Sequence, residues 1–280
     1  MKLRSLFILI VFATLIATAQ TPAVVDGGVL NGASFAKDPN GLGSAVAVGS
    51  LVSIFGTNLA TTLAAADSVP FSTSLGGVSV SFGGKLAAMR NVIPGGLSQL
   101  NAQIPFDVLP SGQTSGTVNV VVTVNGVPSA PKPVSIIPSA PGVFSIPAGA
   151  GYGVLIFADP ADGVAKIAAP VSANIGYPTA PIPRGTPCFF YAAGLGALTP
   201  PLKEGAVDLT TLHNAVVPTV LVGGITAHVD FAGAAPGFPG VYQINFTMPQ
   251  NVSTGDNVPL QVQSADGTVT STNQVVIAIK

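Results

Sequence analysis

Few side chains in this sequence could act as a nucleophile, a base or a metal ligand. The two histidines are His213 and His228, and the one cysteine is Cys188. A nucleophilic hydrolase needs a Ser or Cys, a base and a group that orients the base. Ser34 and Lys37 fit the spacing S-x-x-K, but the companion motifs of that chemistry are missing. We therefore predict that the chain is not an enzyme, and a hydrolase with an unrecognised site remains an alternative.

Metal-binding and phosphate-binding patterns are equally sparse. Zinc needs three or four His, Cys or carboxylate ligands, and the two histidines are well separated. Asp159 with Asp162, and Asp38 with Asn40, flank two turns and could each offer two oxygens to calcium, which takes six to eight. Asp and Asn before Gly are also ordinary turn formers, so calcium binding stays open. The Gly-rich segment 149–153 lacks the spacing of a dinucleotide site, and we predict no cofactor.

Two predicted strands carry alternating amide side chains. Gln99, Asn101 and Gln103 alternate with apolar residues, and so do Gln243 and Asn245. One face of each strand is therefore apolar and faces a core, while the other face is rich in amides. The amide face could bind a ligand, or it could be solvated or hold an adjacent loop.

All four tyrosines fall in the second half of the chain, and there is no tryptophan. Tyr152 and Tyr177 are predicted to lie exposed in Gly- and Pro-rich loops. They are the candidate ligand-binding residues, because an exposed aromatic ring pairs an apolar face with a polar edge. A carbohydrate-binding module is therefore a second function to consider.

The first nineteen residues differ from the rest. Lys2 and Arg4 precede the apolar run 6–16, and Ala17-Thr18-Ala19 supplies small residues. This layout is typical of a secretory signal peptide, with a membrane anchor as the alternative. No later stretch is long and apolar enough to span a bilayer, so we expect no stable membrane insertion after cleavage.

The composition points to a packed protein with little charge. Only 8% of the 280 residues are charged, 48% are hydrophobic, and there are 33 Gly and 25 Pro. Loss of Lys2 and Arg4 would leave eight basic residues against eleven acidic ones, with no basic cluster, so we predict no nucleic-acid partner. A single cysteine excludes an intramolecular disulfide, and the apolar neighbours of Cys188 predict its burial.

The elements that hold these residues occur twice. A strand, a Gly-Gly turn and a second strand run through 79–89 and again through 219–229. Gly83-Gly84 and Gly223-Gly224 fit two-residue hairpins that need positive φ. "LSQLNAQIP" and "VYQINFTMP" follow, and "GSLVSIFGTNLA" and "GTPCFFYAAGLG" precede, in the same order. Gly56 and Asn58 follow the first of these strands, where they allow a bulge or tight loop. The pattern predicts a tandem duplication of one β unit.

The segment G-S-L-V-S-I-F-G-T-N-L resembles the opening of TIG/IPT domains, which are Ig-like β-sandwiches of receptors, transcription factors and bacterial secreted proteins. The second half, with "APGVF", "YAAGLG" and "VYQINFTMP", resembles a β-sandwich domain found at the C-terminus of large secreted bacterial proteins of unknown function. The resemblance implies a fold and carries no catalytic residues. Cys188-Phe189-Phe190 departs from it, since aliphatic residues are expected there.

We therefore expect an all-β chain of two tandem immunoglobulin-like (TIG/IPT-type) β-sandwich domains after a signal peptide. The expected bounds are 1–19 for the signal peptide, 20–138 for the first domain and 139–280 for the second, with a semi-rigid, Pro-rich joint. The expected role is that of a secreted, non-catalytic structural, adhesion or binding protein, extracellular or periplasmic. Its partner would be an extracellular protein, a polysaccharide or a cell-envelope component, recognised by loops or strand edges.

Overall fold

The computed structural model describes residues 20–38, 40–271 and 273–280, and the predicted signal peptide lies outside them. The described chain is all β, with 23 strands and no helix, which confirms the predicted fold class. No segment of the described residues is therefore a helix that could cross a membrane.

The N-terminal half contains ten strands in two sheets. They are β1 (Ala23–Asn31), β2 (Leu51–Thr57), β3 (Ala64–Ala65), β4 (Val78–Phe82), β5 (Lys85–Leu86), β6 (Ala88–Ile93), β7 (Ser98–Gln103), β8 (Gly116–Val124), β9 (Val127–Pro128) and β10 (Lys132–Ile136). One sheet has the order β1-β2-β7-β6-β3, and the other has the order β10-β8-β4-β5, with β9 also paired to β8.

The C-terminal half contains the other thirteen strands. They are β11 (Gly142–Val143), β12 (Ser145–Ile146), β13 (Gly151–Gly153), β14 (Leu155–Ala158), β15 (Ala165–Ala168), β16 (Thr179–Ala180), β17 (Pro187–Ala193), β18 (Thr219–Val222), β19 (Ile225–Ala227), β20 (Val229–Ala234), β21 (Tyr242–Thr247), β22 (Gly255–Gln263) and β23 (Val275–Ile279). Their sheets have the orders β16-β15-β14-β17-β21-β20, with β11 on β17, and β12-β13-β23-β22-β18-β19.

The two halves share one strand order. β1-β2-β7-β6 corresponds to β14-β17-β21-β20, and β10-β8-β4-β5 corresponds to β23-β22-β18-β19. The repeated sequence segments lie on matching strands, such as β2 with β17, β4 with β18 and β7 with β21, so sequence and topology describe the same duplicated unit. The domain bounds 20–138 and 139–280 stay a prediction.

Each half has its own hydrophobic core between its two sheets. The first cluster runs from Val24 to Ile136 and the second from Val143 to Ile279. Both sheets contribute because alternate residues of a strand point to the same side, as the buried Val78, Val80 and Phe82 of β4 show. Full burial of one such side chain stabilises the fold by about 1.5–3 kcal/mol.

Glycines close the repeated hairpins. Gly83 and Gly84 have φ of +55° and +83°, and Gly223 and Gly224 have +56° and +81°, values that favour residues without a Cβ. The prediction of a bulge or loop at Gly56 is wrong, because Gly56 lies within β2. A Cβ there would lie 2.2 Å from the carbonyl oxygen of Ala23, so β1 can approach only a glycine.

Candidate functional site

Buried polar side chains join the two halves. Gln103 is 2% exposed, and its Nε2 donates to the carbonyl oxygen of Gly49 at 2.9 Å. Its Oε1 accepts the backbone N–H of Gly205, in the other half, at 2.6 Å. Beside it, Glu204 Oε1 accepts the N–H of Phe106 at 2.9 Å. The loop around Gly205 is therefore held against the N-terminal half by side chains and backbone.

Further contacts extend this joint. The buried hydroxyl of Tyr242 lies 3.4 Å from the carbonyl oxygen of Val48, in the N-terminal half, and donates to the carbonyl oxygen of Gly196 in its own half. Burial raises the pKa of the Tyr242 phenol. Asn31 Nδ2 donates to the carbonyl oxygen of Ala140, in the connection between the halves, at 2.8 Å. Amide groups thus hold loops in place, which was one of the three interpretations of the amide face. Gln103 shows it most clearly.

A cleft of about 950 Å³ lies between the halves. Its walls are the loop from β7 to β8, the connection around Pro138, and the hairpin 264–269 between β22 and β23. Most of the lining is apolar, and it includes Leu109, Ile137, Leu195 and Val216.

The charged groups that line the cleft already have partners. Lys85 Nζ and Asp107 Oδ2 form an exposed ion pair at 2.7 Å. Asp266 Oδ1 accepts the hydroxyl of Ser264 at 2.5 Å and the backbone N–H of Thr268 at 3.1 Å. These donors hold the pKa of Asp266 below its usual range. The carboxylate therefore shapes the hairpin.

No hydrogen bond among the described residues joins the candidate catalytic residues to one another. His213 is buried, with Nδ1 2.7 Å from the carbonyl oxygen of Pro200 and Nε2 3.2 Å from Asp208 Oδ2. His228 is exposed, 3.6 Å from Asp230. Cys188 is buried as predicted, and burial raises the pKa of its thiol.

In the two turns considered for calcium, the carboxylate oxygens already bind other groups of the protein. Lys166 Nζ lies 2.8 Å from Asp159 Oδ2 and 2.7 Å from Asp162 Oδ2, so an ammonium already neutralises these carboxylates. Asp38 Oδ1 accepts the backbone N–H groups of Asn40 and Leu42. Within the described ranges, no group of three or more His, Cys, Asp and Glu side chains could hold a metal ion.

The two tyrosines chosen from the sequence lie on different elements. Tyr152 is half-buried in β13, where it pairs with Val276 of β23, so it belongs to a strand rather than a loop. Tyr177 is 63% exposed in the segment that precedes β16. No ring contact joins them in the described part of the chain.

A row of aromatic rings that the sequence reasoning missed lies on the outer face of β17. The rings of Phe189 and Tyr191 are 5.7 Å apart, and those of Tyr191 and Phe238 are 5.5 Å apart. Gln243 lies opposite Tyr191 and Asn245 opposite Phe189 in the ladder with β21. Strand alternation around Cys188 already placed the first two rings on the face opposite the core, and this signal could have found them.

No family model matches the chain, and a search of curated proteins finds no match either. The chain is similar to the solved I9–I11 tandem of titin, at 10% identity over 93% of this chain and 67% of that chain, with a TM-score of 0.22. It is also similar to the C-terminal domain of the AgI/II polypeptide BspA of Streptococcus agalactiae, at 9% identity over 89% of this chain and 99% of that one, with a TM-score of 0.17. TM-scores this low carry no argument, and the all-β fold rests on the strands themselves.

Proposed function

We propose that the chain is a non-catalytic binding or structural protein that acts outside the cytoplasm. It recognises an extracellular protein or a cell-envelope component through the loops that border the cleft. The observation that carries this proposal is the cleft of about 950 Å³ between two β-sheet frames, with loops from both halves as its walls.

The lining of the cleft suits binding. Ligand sites are usually concave and mainly apolar, have a few polar groups that set orientation, and often lie between domains. The loop from β7 to β8 supplies the polar groups of Ser111, Gln113 and Thr114. Val216, which is 71% exposed, adds apolar surface from the C-terminal half.

The hydrogen bonds between the halves indicate that the cleft is formed before a partner binds. Gln103 and Glu204 bond across the halves with their side chains, so the two walls are held at one separation. A site that is already ordered loses less conformational entropy on binding than one that must close around its ligand.

The ionisable side chains support a non-catalytic role. A general base must have a ring nitrogen or carboxylate oxygen free to reach a substrate. Both ring nitrogens of His213 have neighbouring oxygen atoms in the protein, and the Cys188 thiol lies buried beside the carbonyl oxygen of Phe246. These groups are engaged in structure.

The test compares two exposed valines. Val216 lines the cleft, whereas Val171, which is 77% exposed, does not. Immobilised wild-type chain and the variants Val216→Arg and Val171→Arg would be exposed to material washed from the surface of the producing cells. We expect the wild type and Val171→Arg to retain the same component, and Val216→Arg to lose about tenfold or more in affinity. Equal retention by both variants, or no retained component, would contradict the proposal.

A further inference from the structure

A second groove lies between the halves, and it shares no lining residue with the cleft. Its volume is about 280 Å³. The N-terminal half contributes Ala65, Ala66, Phe71, Arg90 and Asn91, and the C-terminal half contributes Gly237, Phe238 and Pro239. Phe238 also ends the aromatic row on β17, so the groove and the row are continuous.

Arg90 is the positive group of this groove. It is the extra residue of a β-bulge, since Met89 faces Ala102 and Asn91 faces Asn101 across the ladder. Bulges re-aim a side chain and often occur beside functional sites. Arg90 is half-buried, and none of the ion pairs found among the described residues includes it. A partly desolvated guanidinium is suited to grip a carboxylate or sulfate with two parallel hydrogen bonds.

The aromatic row supplies apolar faces beside that charge. Phe238 is 46% exposed, and Tyr191 and Phe189 are half-buried behind it. The rings meet edge to face, so the row presents differently tilted surfaces. The C–H face of a sugar ring packs well on such side chains, and the tyrosine hydroxyl adds a polar edge.

Amides complete the surface. Gln243 Nε2 donates to Asn245 Oδ1 at 2.7 Å, and no other side-chain hydrogen bond of this pair occurs in the described chain. Gln243 Oε1 can therefore accept a hydroxyl, and Asn245 Nδ2 can donate to one. Each amide lies directly across the ladder from a ring of the row.

We propose that the groove and the aromatic row bind an anionic polysaccharide. Its carboxylate or sulfate group pairs with Arg90, its sugar rings pack on Phe238 and Tyr191, and its hydroxyl groups bond to Gln243 and Asn245. Arg90, the one cationic side chain among the described residues that line the groove, selects an anionic chain, while the rings and amides select sugar. This site is independent of the cleft, so either can fail without the other.

Titration calorimetry with four polymers tests the proposal. The probes are polygalacturonate, which carries carboxylates, dextran sulfate, neutral dextran and poly-glutamate. We expect polygalacturonate, dextran sulfate or both to bind about tenfold or more tightly than dextran and poly-glutamate. Whichever charged sugar binds identifies the acidic group. Failure of both charged polysaccharides to bind, or equally tight binding of poly-glutamate, would overturn the proposal.

Variants locate the binding. Arg90→Gln should weaken binding about tenfold or more, because a charge-assisted hydrogen bond is lost. Arg90→Lys keeps the charge but loses the fork, and should fall in between. The matched control is Arg184→Gln, which removes an exposed arginine elsewhere and should leave binding within about twofold. An equal loss in Arg184→Gln would show unspecific charge attraction and reject the site.

The rings need their own variant. Tyr191→Ala should weaken binding about fivefold or more. The binding that remains should still depend on Arg90. Phe238→Ala is the second variant, because its side chain is 46% exposed and its loss should not unfold the chain. The urea midpoint of each variant verifies folding. Unchanged binding in both ring variants would overturn the role of the row.

Discussion

The two halves carry one strand order, yet their outer sheet faces are finished in different ways. In the N-terminal half, Ser53 of β2 lies opposite Asn101, whose Nδ2 donates to the Ser53 hydroxyl at 2.7 Å. In the C-terminal half, the corresponding pair is Phe189 and Asn245. Both halves have an asparagine at this position of the ladder, but the residue opposite it is a serine in the first half and a phenylalanine in the second. One frame thus supports a closed polar network in one copy and an aromatic surface in the other.

The same contrast occurs at a bulge. The ladder shifts between Met89 and Asn91 in one half and between Val229 and Phe231 in the other. The extra residue is Arg90 in the first case and Asp230 in the second. The backbone carries the bulge, so its side chain can change charge without cost to the fold. The duplicated unit therefore preserves geometry and varies chemistry.

The largest effect is expected from two matched core positions. Ile54 faces Leu100, Phe190 faces Ile244, and both are fully buried. Phe190→Ala should cost about 3–5 kcal/mol of unfolding free energy, and Ile54→Ala about 2–5, because each leaves a cavity. Calorimetry would measure both.

The joint adds a condition to this prediction. Because buried hydrogen bonds cross between the halves, we expect one cooperative transition that both variants lower. Two transitions, of which each variant moves only one, would show that the halves unfold independently and that the joint does not couple them.

The next largest effect tests whether the contacts between the halves stabilise the fold beyond the strands that both halves share. Gln103→Ala leaves the carbonyl of Gly49 and the N–H of Gly205 without their partner, and should cost about 2–4 kcal/mol. The matched control is Thr247→Ala, at the corresponding end of β21, which should stay within about 0.5 kcal/mol. Urea unfolding measures both variants. Similar costs in the two would mean that Gln103 acts only as a strand residue.

Local patterns predicted the repeated elements well. Strand alternation and the Gly-Gly pairs depend on neighbouring residues, so they are legible in a single sequence. The burial of Cys188 followed from its apolar neighbours. Tyr152 was misplaced in a loop, because its flanking glycines hid a strand that forms only by pairing with the distant β23.

The joint and the groove could not be predicted in the same way. Gln103 reaches Gly205, and Arg90 shares a groove with Phe238, across more than a hundred residues of chain. Such contacts depend on how the two halves pack against each other, and local periodicity does not predict that packing. The sequence does contain one usable signal, which is the reversed charge of Arg90 and Asp230 at equivalent positions of the repeat.

At the matched hairpins we expect a smaller loss of unfolding free energy, and the same loss in both halves. Gly84 and Gly224 have φ of +83° and +81°, and an added Cβ would meet no atom within 4 Å at either site. The Ala variants should therefore each cost about 1 kcal/mol, from left-handed backbone strain alone. Asn should cost less, because it tolerates this conformation. Urea midpoints would check both, and a difference above about 1 kcal/mol between the halves would reject the equivalence of the turns.

The smallest effect should appear in the acid stability of the hairpin between β14 and β15. The Lys166 ammonium holds the pKa of both Asp159 and Asp162 below the usual range, while the two carboxylates raise the pKa of Lys166. A depressed carboxylate pKa stabilises the fold above about pH 4, and this contribution is lost as the pH falls below that value. The lysine contribution is lost only as the pH rises through its raised pKa.

Lys166→Gln should therefore lower the urea midpoint near neutral pH and lower it less at about pH 3, where the wild type has already lost part of the same contribution. The effect should be modest, because the side chain of Asp162 is 45% exposed and salt screens such pairs. Lys37→Gln, beside the corresponding turn of the N-terminal half, is the matched control, since no ion pair among the described residues includes Lys37. A gap between wild type and Lys166→Gln that is the same at both pH values would show that Lys166 stabilises this hairpin by packing its aliphatic stem, and that the halves do not differ in turn electrostatics.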